Sequence, residues 1–237
     1  MDLRFPHLPL LAVALMALLA GGAARAADDE EDSPCTEDAM LVFDASGSMA
    51  GNLNQGIATI KPRIEVVREA LARVLPSVTR FRRVGLITYG PGPYKQCNVQ
   101  LALRPMANAG ERIMREVSGL TPAGKTPLTA AVAQAAEILD YRAKPGLIVI
   151  LTDGEETCGG SPCDLGKELH GGAARLTVHV IAFRMKDFSW TGEQSILDAK
   201  CLAETNGGLY IAAEAEQDLT QALEKTLGCP MLSRLEK

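Results

Sequence analysis

The chain has 237 residues, 47% of them hydrophobic and 22% charged, with a formal charge of −5 at pH 7. This suits one large domain with its own core and excludes disorder for the bulk of it. The acidic balance argues against nucleic acid as a partner, because phosphate binding draws on clustered Lys and Arg, and three histidines leave little room for a His-rich zinc site.

At the N-terminus, Arg4 precedes an unbroken apolar run over 10–20, followed by Gly21, Gly22 and Ala24-Arg25-Ala26. A positive start, a short apolar stretch and an Ala-x-Ala ending are the parts of a secretory signal peptide cleaved after Ala26. Retention as a membrane anchor is the alternative, but a span needs roughly 20 apolar residues. No later segment is apolar enough to cross a bilayer. The expected organisation is a signal peptide over 1–26, an acidic flexible leader over 27–37, one domain over 38–227 and a tail over 228–237.

Cleavage leaves 22 basic and 28 acidic residues, a net charge of −6, and all six cysteines. An even cysteine count behind an export signal reads as disulfides, so the expected location is secreted or periplasmic. Cys35 and Cys229 flank the predicted domain, and a Cys35–Cys229 clasp is the leading pair. Cys97, Cys158, Cys163 and Cys201 either close the short Cys158–Cys163 loop or tie neighbouring loops together, and the sequence leaves both open.

Taken in chain order, AMLVFD (39–44) is the first predicted strand. Ile64, Val67, Leu71 and Val74 then follow Pro62 at helical spacing. RVGLITYG (83–90) and NVQLALRP (98–105) are joined by a Pro- and Gly-rich turn, which predicts a hairpin and one antiparallel strand. Helices are predicted over 109–119 and from Pro127 through an alanine-rich run. GLIVILTD (146–153) is apolar without alternation, as in a strand covered on both faces. A helix over 164–170, a strand over 176–183, a helix over 193–205, a strand over 208–213 and a helix over 215–227 complete the chain. This alternation predicts a Rossmann-like, three-layer α/β domain: a mostly parallel six-stranded sheet with one antiparallel strand and helices on both faces.

In such sheets, ligands bind where strand ends open into loops. The loop after the first strand, Asp44-Ala45-Ser46-Gly47-Ser48, brings one carboxylate and two hydroxyls together. Thr126-Pro127 opens a helix, and Thr152-Asp153-Gly154-Glu155-Glu156 follows the buried strand. Oxygen donors without thiolate or imidazole suit a hard cation such as Mg²⁺, Mn²⁺ or Ca²⁺. Each piece also has a plain alternative. Asp44, Ser46 and Thr126 serve as helix caps, Asp153-Gly154 as a turn, and Glu155 and Glu156 as solvated loop charges.

Asp-x-Ser-x-Ser after a first strand, Gly-x-Thr-Pro-Leu before a helix and Leu-Thr-Asp-Gly after a buried strand, in this order over about residues 38–227, resemble the von Willebrand factor type A domain. The resemblance implies a metal-ion-dependent adhesion site formed by Asp44, Ser46, Ser48, Thr126 and Asp153. It further implies a protein partner whose Asp or Glu completes the ion's coordination, giving reversible binding rather than turnover. The alternative within the same fold is a scaffold whose metal site is structural or vestigial.

A literal phosphate-loop pattern, Gly119-x-x-x-x-Gly124-Lys125-Thr126, raises an ATPase as a distant third reading. The preceding segment is helical rather than a strand, and Pro122 removes a backbone donor inside the loop, so no nucleotide is expected. No catalytic constellation emerges: Ser46 and Ser48 lack a nucleophile-elbow motif, and His170 and His179 read as structural. Trp190 and Phe188, in the loop after the fifth strand, and Tyr94 in the hairpin loop are the candidate partner-contacting aromatics.

Overall fold

The computed structural model describes Met1 and residues 37–51, 61–93, 96–185 and 190–228, with backbone alone for 190–193. Most of the expected signal peptide and leader, Cys35, Cys229, Tyr94, Phe188 and most of the expected tail lie outside these residues. Six strands are present: β1 (Asp38–Asp44), β2 (Val84–Tyr89), β3 (Val99–Met106), β4 (Pro145–Thr152), β5 (Arg175–Phe183) and β6 (Tyr210–Ala213). The helices are α1 (Arg63–Val78), α2 (Gly110–Ser118), α3 (Leu128–Ile138), α4 (Pro162–Gly172), α5 (Trp190–Thr205) and α6 (Glu216–Leu227). A short 3-10 turn, Gly47–Ala50, which the sequence patterns did not indicate, follows β1.

The strand order is β3-β2-β1-β4-β5-β6, with β3 antiparallel to β2 and the other pairings parallel. β1 sits centrally, pairing Phe43 with Thr88 of β2 and Leu151 of β4. Its residues alternate between two cores. Leu41 and Phe43 pack into a cluster with Val67 and Leu71 of α1, Ile113 of α2 and Leu223 of α6. Met40 and Val42 join a cluster with Val132 of α3, Leu165 of α4 and Leu202 of α5. Burial on both faces is why β1 and β4 read as continuous apolar runs. The three-layer α/β expectation is met.

This topology positions one place above others. From β1 the chain continues to β2 on one side, while β4 lies on the other, so the loops leaving β1 and β4 diverge and open a crevice at the carboxyl edge. Asp44 ends β1, and Thr152 ends β4 directly before Asp153.

Two disulfides lie among the described residues. Cys97–Cys158 joins the segment before β3 to the loop after β4, and Cys163–Cys201 joins α4 to α5. Cysteines 158 and 163 therefore do not close their short loop. Ser161 accepts from the Asp164 N–H, so α4 starts between them and carries them to different partners.

Candidate metal centre

Asp44 is fully buried. Its Oδ1 accepts from the Ser46 N–H at 2.7 Å, folding the chain back on itself, and its Oδ2 accepts from Thr152 Oγ1 at 2.7 Å. Ser48 Oγ donates to Asp153 Oδ1 at 2.6 Å, and the Ser46 and Ser48 hydroxyls lie 2.9 Å apart. Since the Ser48 proton goes to Asp153, Ser46 is the donor in that pair. A Cβ on Gly154 would sit 3.3 Å from Ser48 Oγ and 3.6 Å from Thr126 Oγ1, so these two hydroxyls flank the same glycine. The structure thus brings all five predicted residues to one edge. Ser46, Ser48 and Thr126 line a hollow of about 430 Å³ with Gly47, Gly124, Lys125 and Thr157.

Backbone contacts fix the three loops to one another. Ala123 N–H donates to Ala45 O, Gly47 N–H to Gly124 O and Lys125 N–H to Gln96 O. Gly90 and Gly124 both have positive φ, and a side chain on either would collide with backbone, of the Ser46 loop and of Gly90 respectively. Thr126 is not a side-chain helix cap, because the position preceding α3 is Pro127. Thr126 instead exchanges bonds with Thr157: its N–H donates to Thr157 Oγ1, and its carbonyl accepts from the Thr157 N–H.

Glu156 is a correction to the expectation of a solvated charge. Its carboxylate accepts from the Thr129 N–H in the first turn of α3 at 2.8 Å and from the Cys158 N–H at 2.7 Å. Glu155 Oε2 accepts from Ser195 Oγ at 2.6 Å, so it too is engaged. Trp190 begins α5, with its side chain outside the described residues, as are Phe188 and Tyr94.

The electrostatics are those of a site with excess negative charge. Burial pushes the Asp44 carboxyl above its ordinary value, against hydrogen bonds from Ser46 and Thr152. Burial, and then the nearby Asp44 charge, push Asp153 up to about 6, against Ser48 and Arg63. Arg63 Nη1 lies 2.6 Å from Asp153 Oδ2. The Tyr89 hydroxyl, beside these carboxylates, is buried without a well-formed hydrogen bond, and burial followed by the Asp44 charge raise it well above its usual range. Among the described residues no three His, Cys, Asp or Glu gather into a ligand cluster. A cation here would therefore rely on two carboxylates and three hydroxyls, a hard all-oxygen set that fits Mg²⁺, Mn²⁺ or Ca²⁺ and not a soft metal.

Arg63 and Thr157 were missed at the level of sequence, while Thr152 and Glu156 were placed in the loop after the buried strand without the partners seen here. Thr152 stands directly before Asp153, which was a usable signal. Arg63 gave none beyond its place at the start of a helix.

Residues 39–156 match the family model described as the von Willebrand factor type A domain. Two proteins of Bacillus subtilis strain 168 are similar over most of their length. YwmC is 26% identical over 200 residues, 80% of this chain and 82% of that protein. YwmD is 28% identical over 232 residues, 91% of this chain and 96% of that protein, and both are described as uncharacterized. Among solved structures, an aerotolerance-related membrane protein from Bacteroides fragilis shares 18% identity at a TM-score of 0.58, covering 81% of this chain and 98% of that one. The pilus adhesin SpaC from Lactobacillus rhamnosus GG shares 16% identity at a TM-score of 0.59, over 81% of this chain and 30% of that one. Proximal thread matrix protein 1 of the mussel byssus, with a zinc-occupied MIDAS motif, shares 16% identity at a TM-score of 0.56, over 81% and 47%.

Proposed function

We propose that the chain is an exported protein-binding domain in which a divalent cation, Mg²⁺ foremost and Mn²⁺ or Ca²⁺ as alternatives, is held by Asp44, Ser46, Ser48, Thr126 and Asp153. The observation that carries this reading is the convergence of two buried carboxylates and three hydroxyls beneath an open hollow. When bound, the ion supplies an electrophilic position that an Asp or Glu of a protein partner completes. The protein's own part is to hold the hydroxyl oxygens in place and exclude competing donors. Asp44 is fixed by Ser46 and Thr152, and Asp153 by Ser48. On this reading the site binds its partner reversibly and turns nothing over. The adhesin and byssus likenesses support an interaction role, and two disulfides with the N-terminal export pattern support a secreted or periplasmic setting.

One observation favours the second reading, a scaffold with a structural or vestigial site: Asp153 already has a cationic partner in Arg63. A melting-temperature titration with Mg²⁺ and with EDTA, on wild type and Asp44→Ala, separates the two when followed by a partner pull-down. Mg²⁺ stabilisation lost in Asp44→Ala, with metal-dependent capture of an acidic partner, is the expected result. Stabilisation without metal-dependent capture supports the scaffold, and no divalent-ion response in wild type overturns the metal site.

A further inference from the structure

Arg63 and Arg68 stand on the same helix and are held in opposite ways. The Arg68 guanidinium is anchored on all sides: Nε donates to Val117 O at 3.0 Å, Nη2 to Val117 O at 2.8 Å and Leu120 O at 2.6 Å, and Nη1 to Glu65 at 2.5 Å. It fastens α1 to the end of α2 and the segment beyond. Among the described residues Arg63 makes one polar contact, from Nη1 to Asp153 Oδ2 at 2.6 Å, while its Nε is buried without a partner there. A buried, unsatisfied donor is unfavourable, so Arg63 lies where it does for the sake of Asp153 rather than its own hydrogen bonding.

The carboxylate it touches has little else to offer. The Asp153 side chain has no exposed surface, and its other oxygen accepts from Ser48. With Arg63 in place both Asp153 oxygens are satisfied and its charge is balanced without metal. A guanidinium and a divalent cation competing for one carboxylate in a poorly screened site repel each other strongly. We propose that Arg63 is a built-in counter-cation that holds Asp153 in the metal-free protein and yields it when a divalent ion binds, thereby setting the site's metal affinity. This rests on the metal-site reading above. It converts the observation favouring a vestigial site into a device: the arginine keeps two buried carboxylates tolerable until metal arrives, and weakens metal binding in doing so.

The test is Mn²⁺ binding by titration calorimetry, with melting temperatures in EDTA and in saturating Mn²⁺, on wild type, Arg63→Gln, Arg63→Met and Arg63→Lys. The two neutral variants should bind Mn²⁺ about tenfold more tightly than wild type. They should melt lower in EDTA, where Asp153 loses its partner, so their Mn²⁺-induced rise in melting temperature should exceed that of wild type. Arg63→Met, which keeps an apolar stem, provides a second route if the Gln variant folds poorly. Arg63→Lys, keeping the charge, should stay close to wild type. Equal or weaker Mn²⁺ binding in both neutral variants would overturn the proposal and make Arg63 a positioning residue for Asp153. Absence of Mn²⁺ binding in wild type and variants alike would instead remove the metal-site reading on which it stands.

Discussion

β1 contains two kinds of burial within two neighbouring residues. Phe43 and Asp44 are both fully buried, yet Phe43 belongs to the apolar cluster to which α1, α2 and α6 contribute. Asp44 is held by a backbone N–H and the Thr152 hydroxyl, close to a second buried carboxylate whose acidity is weakened by burial and then by the neighbouring charge. Burying an apolar ring stabilises a fold, whereas burying two carboxylates costs free energy that packing elsewhere must offset. Where a strand passes from the first kind of residue to the second, the chain has passed from scaffold to site. Proteins tolerate such local conflict mainly at functional positions.

Substitutions on the two sides of that boundary should therefore behave differently. Phe43→Ala should have the largest effect on folding, about 3–5 kcal/mol by denaturant unfolding, while any folded fraction keeps a normal Mg²⁺ response. The double variant Cys97→Ser with Cys158→Ser should come next. It should lose about 2–4 kcal/mol and, because it frees the loop that carries Asp153, Glu156 and Thr157, weaken Mg²⁺ stabilisation as well. Asp44→Asn, nearly isosteric, should remain within about 1 kcal/mol of wild type in EDTA, yet show no rise in melting temperature with Mg²⁺. If Asp44→Asn unfolds the protein as severely as Phe43→Ala, the distinction between the two residues is lost.

The smallest effect belongs to a half-buried polar group away from the site. His179 accepts from the Leu209 N–H at 2.9 Å, and burial, then Arg82 and Lys225, lower its pKa to about 4. The folded form thus binds its proton less readily than the unfolded chain. The associated stability is fully present above about pH 6.5 and is lost as pH falls toward 4. Discounted for its partial exposure, the effect is on the order of 1 kcal/mol. His179→Asn should flatten that part of the stability–pH curve, measured in EDTA, and an unchanged slope would contradict the assignment.

Much of the scaffold was legible in the sequence because its signals are local. Continuous apolar runs marked β1 and β4, Pro62 and Pro127 marked helix starts, and the Pro- and Gly-rich turn marked the antiparallel hairpin. The site residues stand at the end of β1, in the loops after β1 and β4, and just before α3, so placing those elements placed them. What escaped depends on through-space geometry. Arg63 is 90 residues from Asp153, and its pairing rests on the direction in which α1 leaves the site. The Cys97–Cys158 pairing follows from which loops share an edge and the Cys163–Cys201 pairing from which helices lie side by side, neither of which spacing alone encodes. Glu156 looked like loop charge because its partner, the first turn of α3, lies 27 residues earlier. The phosphate-loop pattern at Gly119 follows helix α2 rather than a strand, and its second glycine, Gly124, sits against the Gly90 backbone.

The most direct test is titration calorimetry of Mg²⁺ and Mn²⁺ into the full chain and into Asp44→Asn, each first stripped with EDTA and shown to be folded. The five-oxygen site predicts one saturable divalent site in wild type that is absent in Asp44→Asn. No saturable binding in wild type, or equal binding in both proteins, would contradict a metal centre at Asp44 and Asp153.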